Sequence, residues 1–377
     1  MWVKEVRLAD FRSYEDITVD LEPGVTSFVG ANGQGKTNLV EAISYASVLA
    51  SHRVATDGPL VRIGAERAVI GIEVVSQERS VLLELELNPG RSNRARLNKS
   101  PVARPRELVG LVRSVMFAPE DLALVKGDPS DRRRFIDDLL VQRTPRMHGV
   151  KADFDRVLRQ RNALLRSGAA HGADIDGTLG VWDEQLIDAG GELIAARVAA
   201  IEELRPHVAA AYSLIAGGQD AVSASDLAMV YASSAGEAAP QSADRPQWRE
   251  ALRTALAARR REERARGVTL VGPHRDDITL VLGDSPAKGY ASHGESWSIA
   301  LALRIGSLDV LQSDGEDPVL ILDDVFAELD AARRSRLTDR VKAAAQVLIT
   351  AAVDDDVPRE LSGRRLRVTK GAVSDAG

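Results

Sequence analysis

The chain has 377 residues, 44% hydrophobic and 28% charged, a balance ordinary for a soluble globular protein long enough to bury more than one core. It contains no cysteine, which excludes a disulfide framework and thiolate metal ligation, and no apolar run nears the ~18–20 residues of a membrane span. The formal net charge of −6 speaks against a nucleic-acid partner only on the whole-chain average, because counterion release depends on local cationic density.

Met1-Trp2-Val3-Lys4-Glu5-Val6-Arg7 alternates charged and apolar residues, unlike a signal peptide, so a cytoplasmic protein is expected. Residues 3–8 and 17–21 alternate as a paired antiparallel edge, and 25–29 read as a buried strand. That strand runs into Gly30-Ala31-Asn32-Gly33-Gln34-Gly35-Lys36-Thr37, the spacing GxxxxGK[ST], and Leu39, Val40, Ala42, Ile43 and Ala46 then recur at helical spacing. Strand, glycine loop and helix are the context of a phosphate-binding loop rather than of a plain helix cap. The glycines let backbone N–H groups curl around phosphate oxygens at the positive end of the helix. Lys36 would reach the β- and γ-phosphates of ATP, and the Thr37 hydroxyl would sit on Mg²⁺.

Residues 68–75 and 80–87 read as further strands. Between Arg91 and Arg166 there are 18 Lys/Arg against 9 Asp/Glu, a local balance of +9 that leaves −15 for the rest. This stretch is either a surface for nucleic-acid phosphates or a set of solvated helical faces with internal ion pairs. From Asp131 the period turns helical, through Phe135, Ile136, Leu139 and Leu140, then Phe154, Val157, Leu158 and Leu165. A break is predicted at Ser167-Gly168, extending through Gly172 and Gly177. Trp182, Leu186, Ala189, Leu193, Ala196 and Ala200 then step by 4-3-4-3-4 as a helix–helix seam that Pro206 interrupts. Each helix is at most ~40 residues, or ~60 Å, so the arm is short.

Residues 233–246 read as a loop, 248–266 as a helix, and 268–271 and 278–282 as strands. A helix over 295–312 follows, then the apolar run Val319-Leu320-Ile321-Leu322, with late strands at 347–350 and 365–369. The expected class is α/β, a mixed-sheet nucleotide-binding head interrupted by a mainly helical lobe. The expected domains are an N-terminal head part at 1–120, a helical arm at 121–266, a C-terminal head part at 267–371 and a disordered tail at 372–377.

Two further motifs complete the pattern. The run 319–322 ends in Asp323-Asp324, carboxylates at the C-terminal end of a strand, where α/β folds place ligand chemistry. Asp323 would hold Mg²⁺ and Asp324 would orient the attacking water. Ser292-His293-Gly294-Glu295 opens the 295–312 helix, and taken alone it is a helix cap. The order of phosphate loop, helical insert, Ser-x-Gly-Glu helix, Asp323-Asp324 and Glu328-Leu329-Asp330 resembles ABC-type ATPases of the chromosome-maintenance group. In that group the Ser-x-Gly segment of one subunit closes on the ATP held by another, which assigns Ser292, Gly294 and Glu295 to nucleotide binding in trans.

Two boxes narrow the resemblance to the RecF family of bacterial recombination and repair proteins. One is Pro119-Glu120-Asp121-Leu122, continuing through Val125-Lys126-Gly127 to Arg132-Arg133-Arg134-Phe135-Ile136-Asp137. The other is Thr269-Leu270-Val271-Gly272-Pro273-His274-Arg275-Asp276-Asp277, and Phe11-Arg12-Ser13-Tyr14 adds to it. The resemblance spans about residues 1–350. It implies a weak, DNA-stimulated ATPase in the cytoplasm, associated with the nucleoid. An ATP-driven homodimer would clamp DNA, whether single-stranded, duplex or junction, and help load the recombinase with RecR and RecO as partners, supporting the SOS response.

The chain departs from the wider pattern in three places. Asp324 stands where most ABC ATPases have Glu, one methylene shorter, which fits a slow switch. Residues 116–121 contain no glutamine to sense Mg²⁺, and Thr350-Ala351 stands where a histidine is usual. Three alternatives have other signatures: a DNA-end sensor needs a far longer coiled coil, a transporter ATPase subunit carries the missing glutamine and histidine, and a P-loop kinase needs no Ser-x-Gly helix.

Overall fold

Residues 1–171, 176–217 and 227–375 are described by the computed structural model. Two compact units emerge: Met1–Leu122, His207–Ala224 and Ser292–Gly377 form one, and Ala123–Pro206 with Ser225–Ala291 form the other.

The first unit holds two six-stranded sheets. In the first, β1 (Trp2–Phe11), β2 (Tyr14–Asp20), β4 (Ala68–Ser76), β5 (Arg79–Leu87), β6 (Arg94–Leu97) and β7 (Ser100–Pro101) run in the antiparallel order β2-β1-β4-β5-β6-β7. The second takes β3 (Gly24–Val29), β8 (Ser114–Phe117), β12 (Val319–Asp323), β13 (Gln346–Ala351), β14 (Arg364–Thr369) and β15 (Ala372–Asp375) in the order β15-β14-β3-β13-β12-β8. All its pairings are parallel except β14 with β15. Every residue of β12 and β13 is buried, as the continuous apolar runs of central parallel strands require.

Helix α1 (Lys36–Val48) inserts Leu39, Val40 and Ile43 into the core that both sheets share, with Val3, Val6 and Ile70 from one and Ile321 and Leu348 from the other. The Gln346 side chain, fully buried, clips the sheets together, accepting from Val3 N at 2.8 Å and donating to Val3 O at 2.8 Å.

The second unit is built on α3 (Pro129–Arg143) and α4 (Arg146–His171), reached through the short α2 (Leu122–Lys126), with α5 (Asp176–Ala216) and α6 (Arg245–Arg266) beyond them. A separate antiparallel sheet, β11-β10-β9, is made from β9 (Leu227–Ala232), β10 (Asp277–Leu282) and β11 (Ser285–Pro286). This sheet puts residues 225–291 with the helical unit, whereas the sequence reading returned to the head at 267. The turn α7 (Ala287–Tyr290) leads to α8 (His293–Ser313), and α9 (Ala331–Val341) follows β12 in the first unit.

Four further expectations, all in the helical unit, are revised. Ser167-Gly168 lies inside α4 and Gly177 inside α5, so neither breaks a helix, and Gly172 lies outside the described residues. Pro206 sits within α5 without ending it, and the division between units falls there. Of the expected α5 seam, Leu186, Leu193 and Ala200 are buried, but the continuous buried stripe lies one residue further along. Asp183, Ile187, Gly190, Ile194, Arg197, Ile201, Leu204, Val208, Ala211 and Ile215 form the buried 4-3 stripe, while Trp182, Ala189 and Ala196 are half-buried. Two charges and a glycine on that stripe mask it from a hydrophobic pattern.

The charges are paired. Arg161, with no exposed surface, donates to Asp183 at 2.7 Å, Glu263 at 2.6 Å and Thr269 Oγ at 2.8 Å, tying α4, α5 and α6 together. Arg161→Met should cost ~3–5 kcal/mol in denaturant unfolding, because it strands the buried Glu263 carboxylate without its counter-charge and leaves Asp183 to Arg260 alone. A loss below ~1 kcal/mol would show the network to be dispensable.

The fourth revision is at 268–271, which forms no strand. Side chains satisfy its backbone instead: Asn162 Oδ1 accepts from Thr269 N, Glu263 Oε1 from Leu270 N and Ser234 Oγ from Gly272 N, at 2.7–2.8 Å. The expected tail also differs, since Ala372–Asp375 pairs with β14; residues 376–377 lie outside the described residues.

Candidate functional site

The loop Gly30 to Thr37 joins the end of β3 to the start of α1, with Gly33 at φ 78° and Gly35 at φ 110°, conformations that favour glycine. Gly30 is required for a different reason. A Cβ there would lie 2.2 Å from Val368 O on β14. Lys36 is almost fully buried, and its ammonium donates to Gly30 O at 2.7 Å, curled back over the loop.

The loop is braced from behind. Tyr14 donates its hydroxyl to Gly35 O at 3.0 Å, and Ser13 Oγ accepts from Asn38 at 3.0 Å. On α1, fully buried Glu41 receives both forks of Arg12, at 2.9 and 2.7 Å, and Arg53 at 3.3 Å. Burial pushes the Glu41 carboxyl up, but hydrogen bonds from Arg12 and Ser51 outweigh it and hold the group below its ordinary range. The Phe11-Arg12-Ser13-Tyr14 segment is thus the support of the phosphate loop.

The strand β12 delivers Asp323 to the same place. Thr37 Oγ donates to Asp323 Oδ1 at 3.0 Å across 286 positions of sequence. The Thr350 hydroxyl at the end of β13 also donates to Asp323 and accepts from Asp324 N at 3.0 Å, so one threonine pins both acids. Burial pushes the Asp323 carboxyl up to about 6; the Thr350 and Thr37 hydroxyls oppose this, while the charges of Asp324 and Glu120 add to it. A hydroxyl and a carboxylate at this spacing are hard oxygen donors of the kind Mg²⁺ takes. Sequence reasoning noted Thr350 only as a missing histidine; its signal was its place at the end of the neighbouring strand.

Asp324 sits at φ 49°, ψ 16°, the left-handed region. Aspartate and asparagine enter that region far more readily than glutamate, which gives the shorter acid a structural reason here. Beside it, β8 ends in the turn Pro119–Asp121 where no glutamine stands. Buried Asp121 fixes that turn, accepting from Arg304 at 2.6 and 3.0 Å and from Ala118 N at 3.0 Å.

Ser292, exposed with His293, caps α8. Ser292 Oγ accepts from Glu295 N at 3.2 Å and Glu295 accepts from Ser292 N at 2.8 Å, a reciprocal capping box whose hydrogen bonds hold Glu295 below its ordinary range. Gly294 leaves room for Arg333, whose Nη2 lies 2.9 Å from where a Cβ would stand; Arg333 also donates to Ser298 Oγ at 2.9 Å. Among the described residues, the hydrogen bonds of Ser292, Gly294 and Glu295 stay within this helix start. The structure therefore brings Lys36, Thr37, Asp323 and Asp324 together and leaves the Ser292 segment as an open, preformed helix end.

The two family boxes meet in the helical unit. Arg132 forks onto Asp277 at 2.8 and 2.9 Å, Arg133 donates to Asp276 O at 2.7 Å, and Arg197 bridges Asp137 and Pro273 O. His274, half-buried against Phe154, meets Thr269 O through Nε2 at 3.2 Å, and desolvation pushes its imidazole down to about 4. Arg132, Arg133 and Arg161 of the 91–166 stretch are thus spent on internal partners. Arg91, Arg94, Arg96, Lys99 and Arg104, on and around β6 and β7, are exposed.

A family model described as the RecF/RecN/SMC N terminal domain matches residues 2–370. The chain is 56% identical over 379 residues to the DNA replication and repair protein RecF of Frankia alni, covering 99% of both. It is likewise 56% identical over 380 residues to that of Streptomyces avermitilis, again covering 99% of both. Among solved structures it resembles the recombination mediator protein RecF with ATP, of the RecFOR pathway, at TM-score 0.89 and 26% identity, covering all of this chain and 98% of that one. An Smc head domain from Pyrococcus furiosus matches at TM-score 0.53 and 15% identity, a likeness of fold.

Proposed function

The chain belongs to the RecF family of ABC-type ATPases, and from that premise we propose that it is an ATP-dependent DNA clamp of replication and recombinational repair. The observation that carries this reading is the Thr37–Asp323 hydrogen bond, which joins the phosphate loop to the carboxylate strand, set beside a capped helix start with Ser292 and His293 exposed. In this reading ATP lies on residues 30–37 of one protomer. Ser292, Gly294 and Glu295 of a second protomer close on its terminal phosphate, giving a symmetric dimer with two composite sites.

Thr37 and Asp323 would hold Mg²⁺, which when bound neutralises charge on the phosphates. Lys36 moves from the Gly30 carbonyl to phosphate oxygens. Thr350 keeps Asp323 aimed, and Asp324 orients the attacking water. Slow hydrolysis then reopens the dimer and releases DNA. RecR and RecO are the proposed partners in loading the recombinase, within the SOS response, and the proposed location is the cytoplasm at the nucleoid. No described helix is long and apolar enough to cross a membrane.

Exposed cations at Arg91, Arg94, Arg96, Lys99 and Arg104, clustered within fourteen residues, favour the β6–β7 edge for DNA phosphates over Arg132, Arg133 and Arg161, which are spent on internal partners. The low aromatic content, 4%, favours backbone recognition over base stacking.

The test measures binding to single-stranded, duplex and junction DNA with a non-hydrolysable ATP analogue while following protomer mass. DNA affinity should rise with dimer formation, and Ser292→Arg should lose both while retaining ATP. Arg94→Glu with Arg96→Glu should flatten the slope of log affinity against log salt by ~1 per lost contact. DNA binding that ignores dimerisation would sink the clamp, and an unchanged slope would remove this edge from the interface.

A further inference from the structure

We infer that the C-terminal hairpin β14–β15 is a brace on the nucleotide site, which raises ATP affinity by holding the phosphate loop in its binding shape. The inference rests on reading residues 30–37 as the ATP site. Its carrying observation is at the hairpin tip. Lys370 N donates to Gln34 Oε1 at 2.7 Å and Gly371 N donates to Gln34 O at 3.1 Å. The tip needs an unusual backbone to reach there, with Lys370 at φ 48° and Gly371 at φ 77°. Gly371 also lies close to the Ser13 backbone, where an added Cβ would stand 3.0 Å from the carbonyl oxygen. Below the tip, β14 runs against Gly30 closely enough to exclude any side chain there.

The physical consequence follows from the planar, trans peptide bond. A carbonyl and the N–H of the next residue point in opposite directions. When Gly371 fixes the Gln34 carbonyl, the Gly35 N–H is turned to the side away from the hairpin. Tyr14 does the same one residue later, since its bond to the Gly35 carbonyl sets the Lys36 N–H. Phosphate loops bind through backbone N–H groups, so fixing two successive peptide planes removes ordering that binding would otherwise have to supply. Gln34 is therefore a positioning residue, acting through the hairpin, and Lys370 and Gly371 are its anchors.

The experiment compares the full chain, Gln34→Ala, a chain ended after Thr369 and the two changes combined, with Lys36→Met as control. Readouts are the affinity for a fluorescent ATP analogue, the KM and kcat of hydrolysis, and nucleotide-free thermal unfolding. The shortened chain should bind ~10-fold more weakly and Gln34→Ala ~3-fold, in line with loss of two and one hydrogen bonds. The combination should be no weaker than the shortened chain alone, because the Gln34 side chain acts through a partner already gone. KM should rise with little change in kcat, and the unfolding midpoint of Gln34→Ala should stay put.

Normal affinity in both variants, with Lys36→Met unable to bind, would overturn the brace and leave the phosphate-loop reading standing. A further loss when Gln34→Ala is added to the shortened chain would also overturn it, by showing direct contact with nucleotide. If Lys36→Met binds as well as the full chain, the underlying site reading is the part that fails. Should the shortened chain not fold, Gln34→Ala decides alone, and unchanged affinity there refutes the brace.

Discussion

Lys36→Met is expected to weaken ATP binding by ~100-fold or more while leaving the fold in place. The ammonium is nearly buried and already bonded to the Gly30 carbonyl at 2.7 Å, so it is held over the loop before any phosphate arrives. On binding it exchanges that neutral acceptor for charged phosphate oxygens. Hydrogen bonds between charged groups contribute ~1.5–3 kcal/mol each, and losing two accounts for the expected factor. Methionine keeps most of the stem's packing and leaves behind carbonyls rather than a stranded charge, so thermal unfolding should shift by only ~2 °C. Equilibrium binding of a fluorescent ATP analogue measures the first effect and calorimetry the second. A variant that binds ATP normally would remove residues 30–37 from nucleotide binding.

What the sequence made legible follows from how local each feature is. The phosphate loop depends on eight consecutive residues and its flanking periodicities, so its strand, turn and helix lie where the pattern predicts. The fully apolar run 319–322 is equally local, and β12 is the buried parallel strand it implies. The α5 seam is only half legible: Leu186, Leu193 and Ala200 are buried as expected, but Asp183 and Arg197 also lie on the buried stripe, and their burial depends on Arg161 and Asp137, partners on other helices. Residues 268–271 look like a strand because they are apolar and β-branched, yet side chains from α4 and α6 take their backbone hydrogen bonds. Residues 365–369 read as a strand and only 372–377 as tail; the strand's parallel partner, β3, is more than three hundred positions away, and Ala372–Asp375 is folded back onto its other edge. No window of sequence contains that information.

The same distinction separates the two halves of the candidate site. Asp323 and Thr37 are each recognisable from their motifs, and the structure adds the 3.0 Å contact between them. Thr350 belongs to no motif. It earns its place through geometry alone, as the hydroxyl that binds Asp323 and the Asp324 backbone together.

Asp324→Asn is expected to slow ATP hydrolysis by ~10²–10⁴-fold and to yield a dimer that persists in ATP instead of reopening. The substitution is unusually clean at this position. The backbone of residue 324 is left-handed, and asparagine adopts that conformation as readily as aspartate, so the Asp324 N–H should remain on Thr350 and Asp323 should stay aimed. Only the carboxylate that would orient or deprotonate water is lost. Asp324→Glu makes the complementary case. Its longer side chain matches the acid common in ABC ATPases, but glutamate in left-handed backbone costs ~1–2 kcal/mol, so turnover should not improve over the natural chain. Single-turnover hydrolysis and mass measurement across the ATP cycle distinguish the outcomes. If Asp324→Asn turns over normally, water activation lies elsewhere in the composite site. If it hydrolyses slowly yet still falls apart on schedule, dimer opening is not driven by hydrolysis, and the clamp must be released by exchange of nucleotide or by a partner protein.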